Sequence, residues 1–244
     1  MTASTGPNSL APQAASPARD RPAPVWHVRL PVLLSLIAGM VDVIGFLNLK
    51  VFAAHVTGNL VMIGALLAGG YRTNLDQDVA VPSFVIAVAL VWVIARTLRK
   101  HGRPVGRPLL FLQSLLLAGV VMASVFDGHS SSPDSLELVI DTILALSAMA
   151  CQYSVLRLVM PVVPSTAVMT GNLTSATLAL FDVISSHPVL KDSPRRLGKH
   201  MLLLLAFITG CIAGAAAARF LGPWAWAIPA IVSAGTILAV PGDV

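Results

Sequence analysis

An all-helical, polytopic membrane bundle built from two internal repeats is the fold class this sequence predicts, and three observations carry it. The 244 residues are 56% hydrophobic and only 11% charged, with a mean hydropathy of +0.81. A soluble domain carries about 25% charged residues. The apolar residues fall into eight stretches of near-membrane length. One phrase also occurs twice, 113 positions apart, as Thr57-Gly58-Asn59-Leu60 and Thr170-Gly171-Asn172-Leu173.

Residues 1–27 are rich in Pro, Ala and Ser and lack apolar periodicity, so a disordered cytoplasmic tail is expected there, with no cleavable signal. Unit 1, residues 28–126, contains Leu30–Asn48, Val51–Gly70, Val79–Leu98 and Pro108–Phe126. Unit 2, residues 136–241, contains Leu136–Val159, Ser165–Phe181, Met201–Arg219 and Pro223–Val240. Each stretch approaches the ~20 residues a spanning helix needs. Helix is the default because an open strand cannot satisfy its backbone in lipid. Pro31 and Pro108 suit first-turn positions.

The charges of the loops decide how many stretches cross. If all eight do, the sixteen Lys and Arg residues split evenly between the two faces. If one stretch of each leading pair enters and leaves by the same face, Arg96 to Arg107 and Arg157 join the tail, and only Lys50, Arg72 and Arg219 remain opposite. The acidic loop with Asp127, Asp134 and Glu137 falls on that poor face. The positive-inside rule prefers the second arrangement, with the N-terminus cytoplasmic. It implies six spans plus two re-entrant or broken helices, and two units of opposite orientation. Eight spans with parallel repeats is the alternative.

The run Ala38-Gly39-Met40-Val41-Asp42 with Phe46, followed by Phe52-Ala53-Ala54-His55-Val56-Thr57-Gly58-Asn59, resembles the YoaK-like family of bacterial membrane proteins. The stretch from Gln152 to Thr170-Gly171-Asn172-Leu173 does so too. The resemblance covers roughly residues 28 to 240. It implies a multi-pass protein of the bacterial inner membrane. The family is a domain of unknown function, so the resemblance carries over no substrate, cofactor or catalytic residue.

The polar residues inside apolar stretches are the candidates for function. Asp42 lies deep in the first stretch, where a carboxylate costs roughly 2.5–3.5 kcal/mol unless it is protonated or partnered. Gly39 and Gly45 flank it at helical spacing. It reads either as a proton- or cation-coupled site or as a neutral acid bonded between helices. His55 precedes the first Thr-Gly-Asn by two positions and is a candidate proton relay, although a helix-end histidine explains it equally well. Thr57 and Thr170 suit N-caps, with Gly58, Asn59, Gly171 and Asn172 opening the first turns of two half-helices. Two such N-termini meeting near the midplane would favour an anionic or carbonyl-bearing solute, and the asparagine amides would select it. Gln152 maps opposite Asp42 if the second unit carries a short insertion. Gly210 and Gly214 read as helix-packing residues. Asp141, Asp182 and Arg157 read as interfacial residues, and Trp92, Trp224 and Trp226 as an aromatic belt.

No phosphate loop, HExxH or nucleophile elbow is present in the sequence. Cys151 and Cys211 both lie in apolar stretches and read as packing residues. No cofactor, metal or nucleic-acid partner is expected, and cytoplasmic loop bias accounts for the net charge of +5. The expected partners are the lipid bilayer and a small-molecule solute. The leading function is a secondary permease or channel for a small polar or anionic solute. The alternatives are a membrane-embedded enzyme acting on a lipid or quinone, and a non-transporting subunit of a membrane complex.

Overall fold

A computed structural model of the chain describes residues 26–126, 136–161, 163–166, 168–185, 189 and 192–241. Of the tail expected over 1–27, residues 1–25 lie outside the described residues, as does the acidic loop with Asp127 and Asp134, whereas Trp26 and His27 already belong to the first helix. The described residues form eight α-helices and one 3-10 turn, with no strand. The helices are α1 Trp26–Leu49, α2 Val56–Ala68, α3 Leu75–Lys100, α4 Gly106–Phe126, α5 Leu136–Val159, α6 Met169–Ile184, α7 Ser193–Leu221 and α8 Ala227–Ala239. The 3-10 turn Gly222–Trp226 joins α7 to α8. α1, α3, α4, α5 and the stretch Ser193–Ala239 are long and apolar enough to cross a membrane. The protein is a helical membrane bundle.

α2 has 13 residues, so it is about 20 Å long, short of the ~30 Å of a bilayer core. The second expected stretch was to begin at Val51, but residues 50–55 form the connection and α2 starts only at Val56. α6 likewise starts at Met169, four residues after Ser165. Polar residues extend two helices beyond their apolar cores. α3 gains a capping box between Asn74 and Gln77, with Asp76 and Asp78 in its first turn. α7 begins at Ser193, with Pro194 in its first turn. Pro31 is not a first-turn residue, because α1 already starts at Trp26.

Glycine decides the central packing. α1 and α7 form the most extensive helix interface, and Gly39, Gly210 and Gly214 line it. A Cβ on Gly210 would collide with the carbonyl oxygen of Leu36, and one on Gly214 would lie 2.8 Å from the carbonyl oxygen of Met40. Backbone meets backbone here, as expected for Gly210 and Gly214. The other main helix contacts pair α3 with α5, α4 with α5 and α8, α1 with α5 and α8, α2 with α3, and α6 with α7.

Two interfacial expectations fail. Asp141 is buried and accepts a hydrogen bond from Ser124 Oγ at 2.9 Å, which ties α5 to α4. Trp226 is fully buried, whereas Trp92 and Trp224 are exposed as an aromatic belt requires. The 3-10 turn folds Trp226 inward under the core instead of leaving it at the helix end.

Candidate functional site

Asp42 explains itself locally. Its Oδ1 accepts the backbone N–H groups of Ala54 at 2.6 Å and His55 at 3.1 Å, and its Oδ2 is held by His55 Nδ1. Three donors therefore surround a carboxylate that is only 5% exposed. Seven residues separate Asp42 from the end of α1, so the chain has turned back about 10 Å along that helix before α2 starts. The turn places the carboxylate at the positive end of the α2 dipole. Lys50 takes a left-handed φ of 56° at the reversal, a conformation uncommon outside glycine.

Tyr153 completes the clamp from α5. Its hydroxyl donates to the carbonyl oxygen of Ala54 at 2.7 Å, so one residue is held at both its N–H and its C=O. Nothing in the spacing of the sequence singles out Tyr153, because its partner is a backbone atom 99 positions away.

The two Thr-Gly-Asn asparagines do one job twice. Asn59 Oδ1 accepts the N–H of Phe52 at 2.8 Å, and Nδ2 donates to the carbonyl oxygen of Phe52 at 2.9 Å, seven residues back. Asn172 Nδ2 donates to the carbonyl oxygen of Ser165 at 2.9 Å, again seven residues back. Its Oδ1 receives His200 Nδ1 at 3.1 Å, in the tautomer with a proton on that nitrogen. Each amide fastens the connection that precedes its short helix. Thr57 and Thr170 are not the caps. His55 and Val168 occupy those positions, with similar backbone angles of −107°, 61° and −123°, 68°. Thr57, Thr170 and Gly171 face outward and are exposed.

Beside the first break lies a pocket of about 460 Å³. Asp42 and His55 supply its carboxylate and its imidazole. Val43, Phe46 and Leu47 of α1, Phe52 and Gly58, and Phe207 and Cys211 of α7 supply the rest. Phe46 stacks on Phe52 at 4.9 Å, and Phe207 meets the His55 ring edge-on at 5.3 Å. Phe46 and Leu47 are exposed, so they form part of the pocket's open side.

The structure thus brings together Asp42, His55 and Gly58, with Asn59 behind them. It does not add the second break to the same pocket, whose wall contains no α6 residue. α2 packs on α3 and α6 on α7, because each short helix lies against the long helix that follows it. Gln152 also lies apart. It is fully buried, donates to the carbonyl oxygen of Leu34 at 2.9 Å and accepts from Gln113 Nε2 at 2.9 Å. That amide pair joins α1, α4 and α5 away from the pocket. Just before α2, the N–H groups of Ala54 and His55 are taken up by Asp42. No group of three or more His, Cys, Asp or Glu residues is placed to hold a metal among the described residues.

Neither the curated proteins nor the solved structures contain a match to this chain. One family does match, over residues 30–239, which span the helical bundle from the second turn of α1 to the end of α8 and include both Thr-Gly-Asn breaks. The chain belongs to that family, described as a protein of unknown function (DUF1275), in agreement with the YoaK-like resemblance of its motifs.

Proposed function

We propose that the protein is a secondary permease or channel for a small solute, with the Asp42–His55 pair as its proton- or cation-handling group. The observation that carries this reading is the carboxylate–imidazole pair held at a helix break beside an open pocket. Ionisable groups at membrane depth are costly and mark ion and substrate paths. Imidazole is the side chain that exchanges protons near neutral pH.

The helix contacts support a repeated architecture. Exchanging α1–α4 for α5–α8 turns the α3–α5 contact into α7–α1, α4–α5 into α8–α1, and α2–α3 into α6–α7. It leaves α1–α5 and α4–α8 unchanged. Two units related by a pseudo-two-fold axis have this property, and repeats with broken helices are a recurring transporter design. The two asparagine clamps support the same reading. With short α2 and α6 entering and leaving by one face, and the 3-10 turn and α8 crossing together over residues 222–239, each unit has three spans and the units are inverted. The charge distribution then favours a cytoplasmic N-terminus in a bacterial inner membrane.

The pocket lining favours a solute with an apolar body and one cationic or hydrogen-bond-donating end, which would meet Asp42. A deletion strain complemented with the wild type or with Asp42→Asn tests the reading before the solute is identified. The expected result is an altered metabolite profile that the wild type restores and the variant does not. Reconstituted vesicles given that solute should then change their internal pH only with the wild-type protein. Equal restoration by both proteins would overturn the role of Asp42.

A second reading has one observation in its favour, the exposed apolar side chains of Phe46 and Leu47 at the open side of the pocket. A lipid-soluble ligand such as a quinone would reach the pocket from the bilayer, with His55 and Asp42 as an acid–base pair. That reading requires turnover in detergent, where no gradient exists.

A further inference from the structure

A second cavity, of about 360 Å³, lies between the first turns of α1, the first turns of α7 and residues 163–164. We infer that it is a binding site for an anionic phospholipid. Arg195 and Lys199 line it from α7, four residues apart and so on one helix face, and His27 lines it from α1. Val32, Val163 and Leu202 line its apolar part.

Cationic groups at one end and aliphatic walls at the other match a lipid phosphate and the start of an acyl chain. A free phosphate would have no use for the walls, and a neutral lipid would have no use for the cations. The surrounding charge points the same way. Arg29 and Arg196, next in sequence to lining residues, are exposed, and two acids sit at this end of α7, Asp192 before its first turn and Asp182, whose Oδ2 accepts from Ser193 Oγ at 3.2 Å. Trp26 packs edge-on against His27 at 4.0 Å, and indole rings favour the headgroup level of a bilayer. Both helices begin here, with an apolar span following in each. Basic pockets between helices near a membrane face bind anionic headgroups in this way. The cavity is smaller than a whole phospholipid, so the chains would continue down the exposed Leu202 and Leu205.

Native mass spectrometry of the full-length protein tests the site. Palmitoyl-oleoyl phosphatidylglycerol and the phosphatidylcholine of the same chains are the two probes. The wild type is expected to retain one phosphatidylglycerol in roughly tenfold preference to phosphatidylcholine, and Arg195→Gln with Lys199→Gln to lose that preference. Arg72→Gln with Arg219→Gln removes the same charge elsewhere and is expected to behave as the wild type. Equal retention by the two double variants would overturn the site. Displacement of the lipid by millimolar inorganic phosphate, without preference between lipids, would assign the cations to a free anion instead. If the Arg195 and Lys199 variant does not fold, Val32→Trp keeps the charges and fills the apolar floor. It is expected to lose phosphatidylglycerol, and unchanged retention would overturn the proposal.

Discussion

Asp42 and His55 grip each other twice, once through the imidazole Nδ1 and once through the backbone N–H of His55, which donates to Asp42 at 3.1 Å. The second contact is structural and the first is chemical. An acid that fastens a chain reversal and also faces an imidazole ring can be dissected by choosing which contact to remove.

Asp42→Asn keeps an oxygen for the N–H groups of Ala54 and His55 but removes the carboxylate. It is expected to melt within a few degrees of the wild type in detergent and, on the proposed function, to abolish proton-linked transport. Asp42→Ala leaves both N–H groups without an acceptor, at roughly 2–5 kcal/mol. For a chain of this size that lowers the melting temperature by at least about 5 °C. Equal melting of the two variants would contradict the clamp.

Asn59→Ala is predicted to destabilise more than Asn172→Ala. The first strips Phe52 of partners for both its N–H and its C=O, and the second strips one carbonyl, that of Ser165, together with the His200 contact. The expected losses are roughly 2–4 and 1–3 kcal/mol. Thermal unfolding of the two variants side by side gives the order.

Glycines in different helices should respond in opposite directions. Gly210→Ala drives a methyl group into the Leu36 carbonyl and wedges α1 from α7, at a cost above the ~1–3 kcal/mol of ordinary overpacking. Gly235 in α8 has open space around it. Gly235→Ala is expected to be neutral or to gain up to about 1 kcal/mol from helix propensity. Expression level and melting temperature of the two variants decide the point.

The two cysteines report on the pocket without any mutation. Cys211 lines it and is half-buried, whereas Cys151 is buried in α5. A membrane-permeant maleimide is expected to modify Cys211 in the folded protein and Cys151 only after unfolding. A ligand that fills the pocket should slow the first reaction. Failure of Cys211 to react in the folded protein would show that the pocket is not reached from outside, and labelling of Cys151 before unfolding would contradict its burial.

How much of this was legible in the residues? Composition and segment length predicted a helical membrane bundle, because lipid leaves the backbone few ways to satisfy itself. The repeated Thr-Gly-Asn marked both helix breaks, and Asp42 stood out because an acid at that depth needs a partner. The work of the motif was harder to read. Each asparagine bonds a backbone atom of whatever residue lies seven positions earlier, so Phe52 and Ser165 carry no shared side-chain signal. The role expected of Thr57 and Thr170 passed to His55 and Val168 because the helices start earlier than propensity suggests.

The sequence by itself determined the class of protein, the places where its helices break and the acid that had to be explained. These follow from local composition and from the cost of polar groups in lipid. Tertiary structure alone decided the partners: His55 and two N–H groups for Asp42, Tyr153 for Ala54, and an amide network for Gln152. Those contacts arise because the connection after α1 folds back along the helix and glycines let α7 approach closely. That is a matter of three-dimensional packing, which no periodicity along the chain encodes.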